Sequence, residues 1–188
     1  MNGRDADEYR ALRGTIAHRG TWRPALMLAG TIAWAGALIA VLVLLPYPLA
    51  STIPLLVLVA TFESVRTLHF GSERIGRYLQ VFHEEAGPRP KRAADTPSWE
   101  TVAMAFGVKV PGAGGNPLFA PVFGLAATIN FLAVILPGPI ALELGLLAAP
   151  HLAFVVWLIA ADRAMRTQRA VELARFRALH ASTPREPE

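Results

Sequence analysis

Residues 25–50 read ALMLAGTIAWAGALIAVLVLLPYPLA, an uncharged run from Ala25 to Leu45 closed by Pro46-Tyr47-Pro48. A hydrocarbon layer about 30 Å thick takes roughly 20 helical residues to cross, and this run meets that length without one ionisable side chain. Proline stops one helix and is tolerated in the first turn of the next, so Pro46 and Pro48 predict a sharp turn and an immediate return. The same order recurs further on. Leu118–Leu136 is again free of charge and is followed by Pro137-Gly138-Pro139. The returning spans are Pro48–Phe70 and Pro139–Ala161, each interrupted by ionisable residues.

Composition agrees with a lipid solvent. Of 188 residues 53% are hydrophobic and 17% charged, and the mean hydropathy is +0.39. The expected fold class is therefore all-α integral membrane: four transmembrane helices arranged as two hairpins, with short cytoplasmic amphipathic helices. The plan along the chain is an N-terminal segment, 1–24; a first hairpin, 25–70, with spans 25–45 and 48–70; amphipathic helices and a Pro/Gly linker, 71–116; a second hairpin, 117–161, with spans 118–136 and 139–161; and a basic helix and tail, 162–188.

The sequence pI near 10.1 would suggest nucleic acid in a soluble protein, but the positions of the charges point elsewhere. Arg4, Arg10, Arg13, Arg19 and Arg23 precede the first span. Arg66, Arg74, Arg77, Arg89, Lys91, Arg92 and Lys109 lie between the second and third, and Arg163, Arg166, Arg169, Arg175 and Arg177 follow the fourth. The two proline turns carry none. Cytoplasmic segments accumulate Lys and Arg, so both termini are expected in the cytoplasm of a multi-pass cell inner membrane protein. No aromatic-interleaved basic face accompanies the charge, so no nucleic-acid partner is expected.

Two stretches beside the linker have helical spacing. In 73–84 the apolar positions are Ile75, Tyr78, Leu79 and Phe82; in 98–110 they are Trp99, Val102, Ala103 and Phe106. Each suits either the inner headgroup layer or the underside of the bundle. Arg74, Arg77, Trp99, Arg163, Arg166 and Arg169 are the candidate contacts to anionic headgroups or a partner. The fourth span reads as continuing through Asp162 to about Leu179, since Gly and Pro are absent there until Pro184.

Ionisable groups within a span cost about 2.5–3.5 kcal/mol each and so point to function. Counting 1.5 Å per residue from the outer turns puts Glu143 about 6 Å deep, Asn130 about 10 Å, His151 about 18 Å, Glu63 about 22 Å and Arg66 about 27 Å. These five form the candidate intramembrane polar site. Glu63 and His151 are expected to meet, with Arg66 as a second partner to Glu63; Asn130 and Glu143 match roughly in depth. Small residues mark candidate helix seams at Ala29, Gly30, Ala33 and Ala37, and at Ala120, Gly124 and Thr128.

Several chemistries find no support. With no Cys, disulfides and thiolates are excluded. Bis-His haem would need two His at one depth, which His69 and His151 do not offer, and Pro111–Pro117 lacks the Lys-Ser/Thr of a phosphate loop. No catalytic residue, metal or cofactor is therefore expected, and no known family's motifs are present. The leading expectation is a non-enzymatic structural, accessory or oligomer-forming membrane subunit. Its partners would be the lipid bilayer, a second copy of itself or a larger membrane complex. The alternatives are a small proton-linked transporter or channel using Glu63, His151 and Glu143, and a lipid-acting membrane enzyme.

Overall fold

Proline sits inside two of the long helices without ending them, which shapes everything built on them. The computed structural model describes residues 3–45, 47–85, 116–136 and 143–182. Helix α1 runs Gly3–Leu44 through Pro24, α2 Thr52–Leu79, α3 Ala120–Ile135 and α4 Glu143–Ser182 through Pro150. A 3₁₀ turn, Pro48–Ser51, leads into α2, and a π-turn, Gln80–Glu85, follows it. There is no strand among the described residues. Three stretches, Asp5–Leu44, Pro48–Glu85 and Leu144–Ser182, are long and apolar enough to cross a membrane; α3 is a shorter apolar helix.

Two elements extend further than the pattern implies. The N-terminal segment is the first part of α1, continuous with the apolar run. Residues 73–79 are the last turns of α2, where a separate amphipathic helix over 73–84 is expected. Gly71 is the one weak point between them, and a single glycine costs a helix only about 1 kcal/mol. The 98–110 stretch and the Pro137-Gly138-Pro139 turn lie outside the described residues.

The chain divides into two compact units. The second, Thr21–His69 with Asn116–Met165, holds the apolar core. Leu55, Leu58, Phe62 and Val65 form one buried stripe of α2, and Leu147, His151, Phe154, Leu158 and Ala161 form one of α4. Phe62 packs edge-on against Phe123 and Phe154, with centroids 5.4 and 6.0 Å away. Outside this core stand exposed Leu28, Ile32, Ile39, Val43, Leu125, Ile129, Leu152 and Val156. Such an apolar exterior is costly in water and costs nothing against lipid tails.

At Gly30 α1 approaches α2 closely, because a methyl group built on it would overlap the Thr61 side chain. Thr61 is itself held by a hydrogen bond to the Val57 carbonyl, 2.7 Å. Gly30→Leu is therefore expected to lower stability by about 1–3 kcal/mol, the ordinary cost of overpacking. Detergent-solubilised protein titrated with a denaturing detergent measures it; Gly36→Leu, at an exposed position with open space around it, should change little.

The start of α3 is built by Asn116. Its Oδ1 accepts from the backbone N–H of Leu118 and Ala120, at 3.0 and 3.4 Å, and its Nδ2 donates to Asp162 Oδ1 at 2.9 Å. These bonds hold Phe119 in the left-handed region at φ 53°, unusual for a residue with a side chain.

The first unit, Met1–Gly20, Phe70–Gly115 and Arg166–Glu188, is held differently. Ion pairs recur: Arg13 with Glu84 at 2.9 Å, Arg177 with Glu85 at 2.8 Å and Arg77 with Glu172. Tyr78 stacks on Phe82 and meets Phe176 edge-on. Its hydroxyl donates to Glu8 at 2.9 Å. Burial, reinforced by that hydrogen bond to Glu8, raises the Tyr78 phenol above its ordinary value.

Candidate functional site

One side-chain amide ties together the polar interior of the second unit. Asn130 of α3 is fully buried, and its Oδ1 accepts from Trp34 Nε1 of α1 at 3.3 Å. Its Nδ2 donates to the Ser51 carbonyl at 3.0 Å and to His151 Nε2 of α4 at 2.8 Å. The other ring nitrogen, His151 Nδ1, lies 2.8 Å from the Leu147 carbonyl. That carbonyl is one helical turn earlier on α4.

Donor and acceptor chemistry fixes the orientation of the whole chain of bonds. Indole N–H only donates and a carbonyl only accepts. A flipped Asn130 would set its NH₂ against the indole N–H and its oxygen against the Ser51 carbonyl. The amide therefore presents N–H to His151, so Nε2 accepts and Nδ1–H donates to Leu147. This is the neutral imidazole; an imidazolium would oppose two donors across the 2.8 Å contact.

Beside His151 lies a cavity of about 220 Å³, walled by Ala127, Thr128, Phe131, Ala148, Leu152 and Val155. Phe131 covers the imidazole at a centroid distance of 5.2 Å. The space next to the ring is apolar. Ser51 Oγ is the neighbouring buried polar atom without a partner in the described residues.

Glu63 lies on a different side of α2 and makes different contacts. Arg66 donates to it through Nε at 2.9 Å and Nη2 at 2.6 Å, and Trp157 Nε1 donates at 2.5 Å. The Arg66 guanidinium also stands over the Trp157 ring, 5.3 Å from its centroid, and that indole is 44% exposed. The expected meeting of Glu63 with His151 does not occur. Glu63 follows Phe62 of the buried stripe by one position, which turns it about 100° away from the core. The structure instead joins His151 to Asn130 and Glu63 to Arg66. The Glu143 side chain lies outside the described residues.

The basic candidates separate in a similar way. Arg77 is buried, held by Glu172 and, at 3.3 Å, by Glu73, so it is a structural cation where an exposed headgroup contact was expected. Arg74 is largely exposed and reaches Glu172 at 3.3 Å. Burial opposes ionisation of Glu172, but the hydrogen bond from Gln168, the charge of Arg77 and the hydrogen bonds from Arg74 and Arg77 outweigh it. They hold the carboxyl below its ordinary value. Arg163 and Arg166 are exposed on α4, while Arg169 is half-buried, with its Nε enclosed and no acceptor bonded to it. Trp99 lies outside the described residues.

Trp34, Ser51, Trp157 and Glu172 are site residues that spacing does not single out. Trp34 carried a usable signal. An indole in the middle of an apolar run, away from the interface where Trp is at home, needs a partner for its N–H. Glu172 carried none, because its partner Arg77 is 95 residues away in the chain.

No group of three or more His, Cys, Asp or Glu positioned for a metal occurs among the described residues. Fold and site together define a class: an all-helical protein with long apolar helices of the membrane-spanning kind. No family model matches the chain, and no curated protein or solved structure matches it either.

Proposed function

We propose that the chain is a four-span inner-membrane protein with both termini in the cytoplasm, acting as a non-enzymatic accessory or assembly subunit. One observation carries this reading: the side chains of Asn130 and His151, at the centre of the interior, are closed on their neighbours. Both ring nitrogens of His151 are occupied, and Asn130 spends both sides of its amide on Trp34, Ser51 and His151. A transport path needs polar groups that exchange partners with water or ion, and the cavity next to His151 is apolar.

The two-hairpin plan is supported by paired contacts in which residue number rises along one helix as it falls along the other. Gly30 lies against Thr61 and Arg23 binds His69 in the first pair; Asn130 binds His151 and Asn116 binds Asp162 in the second. Helix α3 supplies the fourth span: its 16 residues rise about 24 Å, and Asn116–Phe119 extend it. In this arrangement Glu63, Arg66 and Trp157 sit at the inner membrane boundary, where an indole and a guanidinium that reaches outward are favoured. The exposed Arg74, Arg163 and Arg166 then face the anionic headgroups of the inner leaflet.

Reconstituted liposomes test the choice between subunit and transporter. Purified protein is expected to give proton and monovalent cation fluxes no faster than empty liposomes, and to co-purify from mild detergent in a fixed copy number with itself or with a membrane partner. A sustained flux that His151→Ala abolishes would establish the transporter instead.

A further inference from the structure

Among the described residues of the first unit, one small cavity carries on its wall an Arg that meets no carboxylate. Ile16, Ser72, Glu73, Arg77, Gln80 and Arg169 wall a space of about 70 Å³. A water takes about 30 Å³ of liquid volume, so this is room for about two waters or one small polar group. Arg19 is not on its wall: its guanidinium lies against the backbone of Gly71, in a position that a methyl group on Gly71 would take.

The charges leave an unfilled role. Glu73 and Glu172 are taken by Arg77 and Arg74. Arg19 and Arg169 have no carboxylate among the described residues, and both Arg77 and Arg169 keep an enclosed Nε–H with no acceptor. A buried donor without an acceptor is costly, and guanidinium matches the paired oxygens of phosphate better than any other side chain. The Glu73 carboxylate on the cavity wall works against an anion. Its hydrogen bond from Arg77 keeps it engaged, and the two guanidiniums on the wall still exceed the one carboxylate there.

We propose that this cavity is a binding site for a phosphate group, with Arg169 as its principal cation and Arg77 and Ser72 on its wall. The phosphate is either free in solution or the terminal phosphomonoester of a lipid headgroup. The proposal sharpens the headgroup reading above without depending on it, because binding of free phosphate in detergent makes no use of a membrane orientation.

The test is calorimetry and thermal unfolding of the full chain in neutral detergent, titrated with inorganic phosphate at constant ionic strength set by chloride. Mixed micelles containing either phosphatidic acid or phosphatidylcholine form a second arm. Saturable binding of inorganic phosphate that Arg169→Gln weakens about ten- to hundredfold supports the site with a soluble ligand. Binding seen only with phosphatidic acid, and lost in the same variant, supports it with a lipid ligand. Arg163→Gln, on the same helix but exposed, should change affinity less than about twofold. Arg169 makes no hydrogen bond or ion pair among the described residues, so its variant should unfold at the wild-type temperature when phosphate is absent; Arg169→Lys, which keeps the charge but not the paired donors, repeats the test if it does not. No saturable binding in either arm, or equal losses in the Arg163 and Arg169 variants, overturns the proposal.

Discussion

Asn130→Leu is expected to lower stability by about 2–4 kcal/mol, the largest effect of any single substitution in the second unit. Leucine has the branched outline and the heavy-atom count of asparagine and a larger volume, so the loss is not a cavity effect. It strands three groups at once: the Trp34 indole N–H, the Ser51 carbonyl and His151 Nε2. Each buried group left without a partner costs about 1–3 kcal/mol in a protein interior, while interhelical hydrogen bonds in membrane proteins average about 0.6 kcal/mol. The expectation lies between the sum of the first and the sum of the second. Unfolding in a denaturing detergent, followed by circular dichroism, measures it.

The double variant separates a network from a set of independent bonds. In Asn130→Leu with His151→Leu, the imidazole no longer needs a partner and two of the polar ends disappear together. The pair should therefore be less destabilising than the sum of its two single variants, by about 1 kcal/mol or more. Additive losses would mean that Asn130 and His151 contribute separately and that the amide is not the tie between the helices. Asn130→Asp is expected to fail as a conservative replacement, since a carboxylate cannot donate to the Ser51 carbonyl.

The reason these partners were only half legible in the sequence is geometric. Lengths of apolar runs, the proline turns and the map of Arg positions are one-dimensional, and they delivered the helical class and the long apolar helices. Pairing within the site needs azimuth as well as depth. In a soluble helix the apolar stripe reports azimuth, but α4 is apolar on both sides over Leu144–Ile159, so buried Phe154 and Leu158 look like exposed Leu152 and Val156. Counting rise placed Glu63 and His151 at one level and said nothing of the turn between Phe62 and Glu63. The partners of Asn130 were hidden for a related reason. One is a backbone carbonyl at Ser51, and the other is an indole whose mid-run position was the only hint. Outside the apolar stretch the limit is different: Arg77 and Arg74 carried the same local signal, and only the return of α4 with Glu172 buries the one and leaves the other exposed.

That burial makes Glu172 the residue on which the first unit depends most. Glu172→Leu is expected to cost about 3–5 kcal/mol, because removing one member of a buried pair leaves the other charge enclosed. Arg77 would retain only Glu73, at 3.3 Å, whereas Arg74 turns into solvent at little cost. Replacing both charges, as Arg77→Leu with Glu172→Leu, should recover much of the loss, since apolar side chains of similar size often substitute for a buried ion pair without penalty. Acidity gives an independent check with a defined sign. The Glu172 carboxyl titrates below its ordinary value in the folded protein. Its contribution is therefore complete at neutral pH, begins to fade as pH falls through the ordinary glutamate range near about 4.3, and is gone once pH passes below the folded value. Wild-type protein should accordingly lose amide-exchange protection over residues 70–82 and 166–182 in that acid window, and the double-leucine variant should lose distinctly less. Equal acid sensitivity in the two proteins would show that other carboxylates, those of Glu84 and Glu85 foremost, hold the unit together.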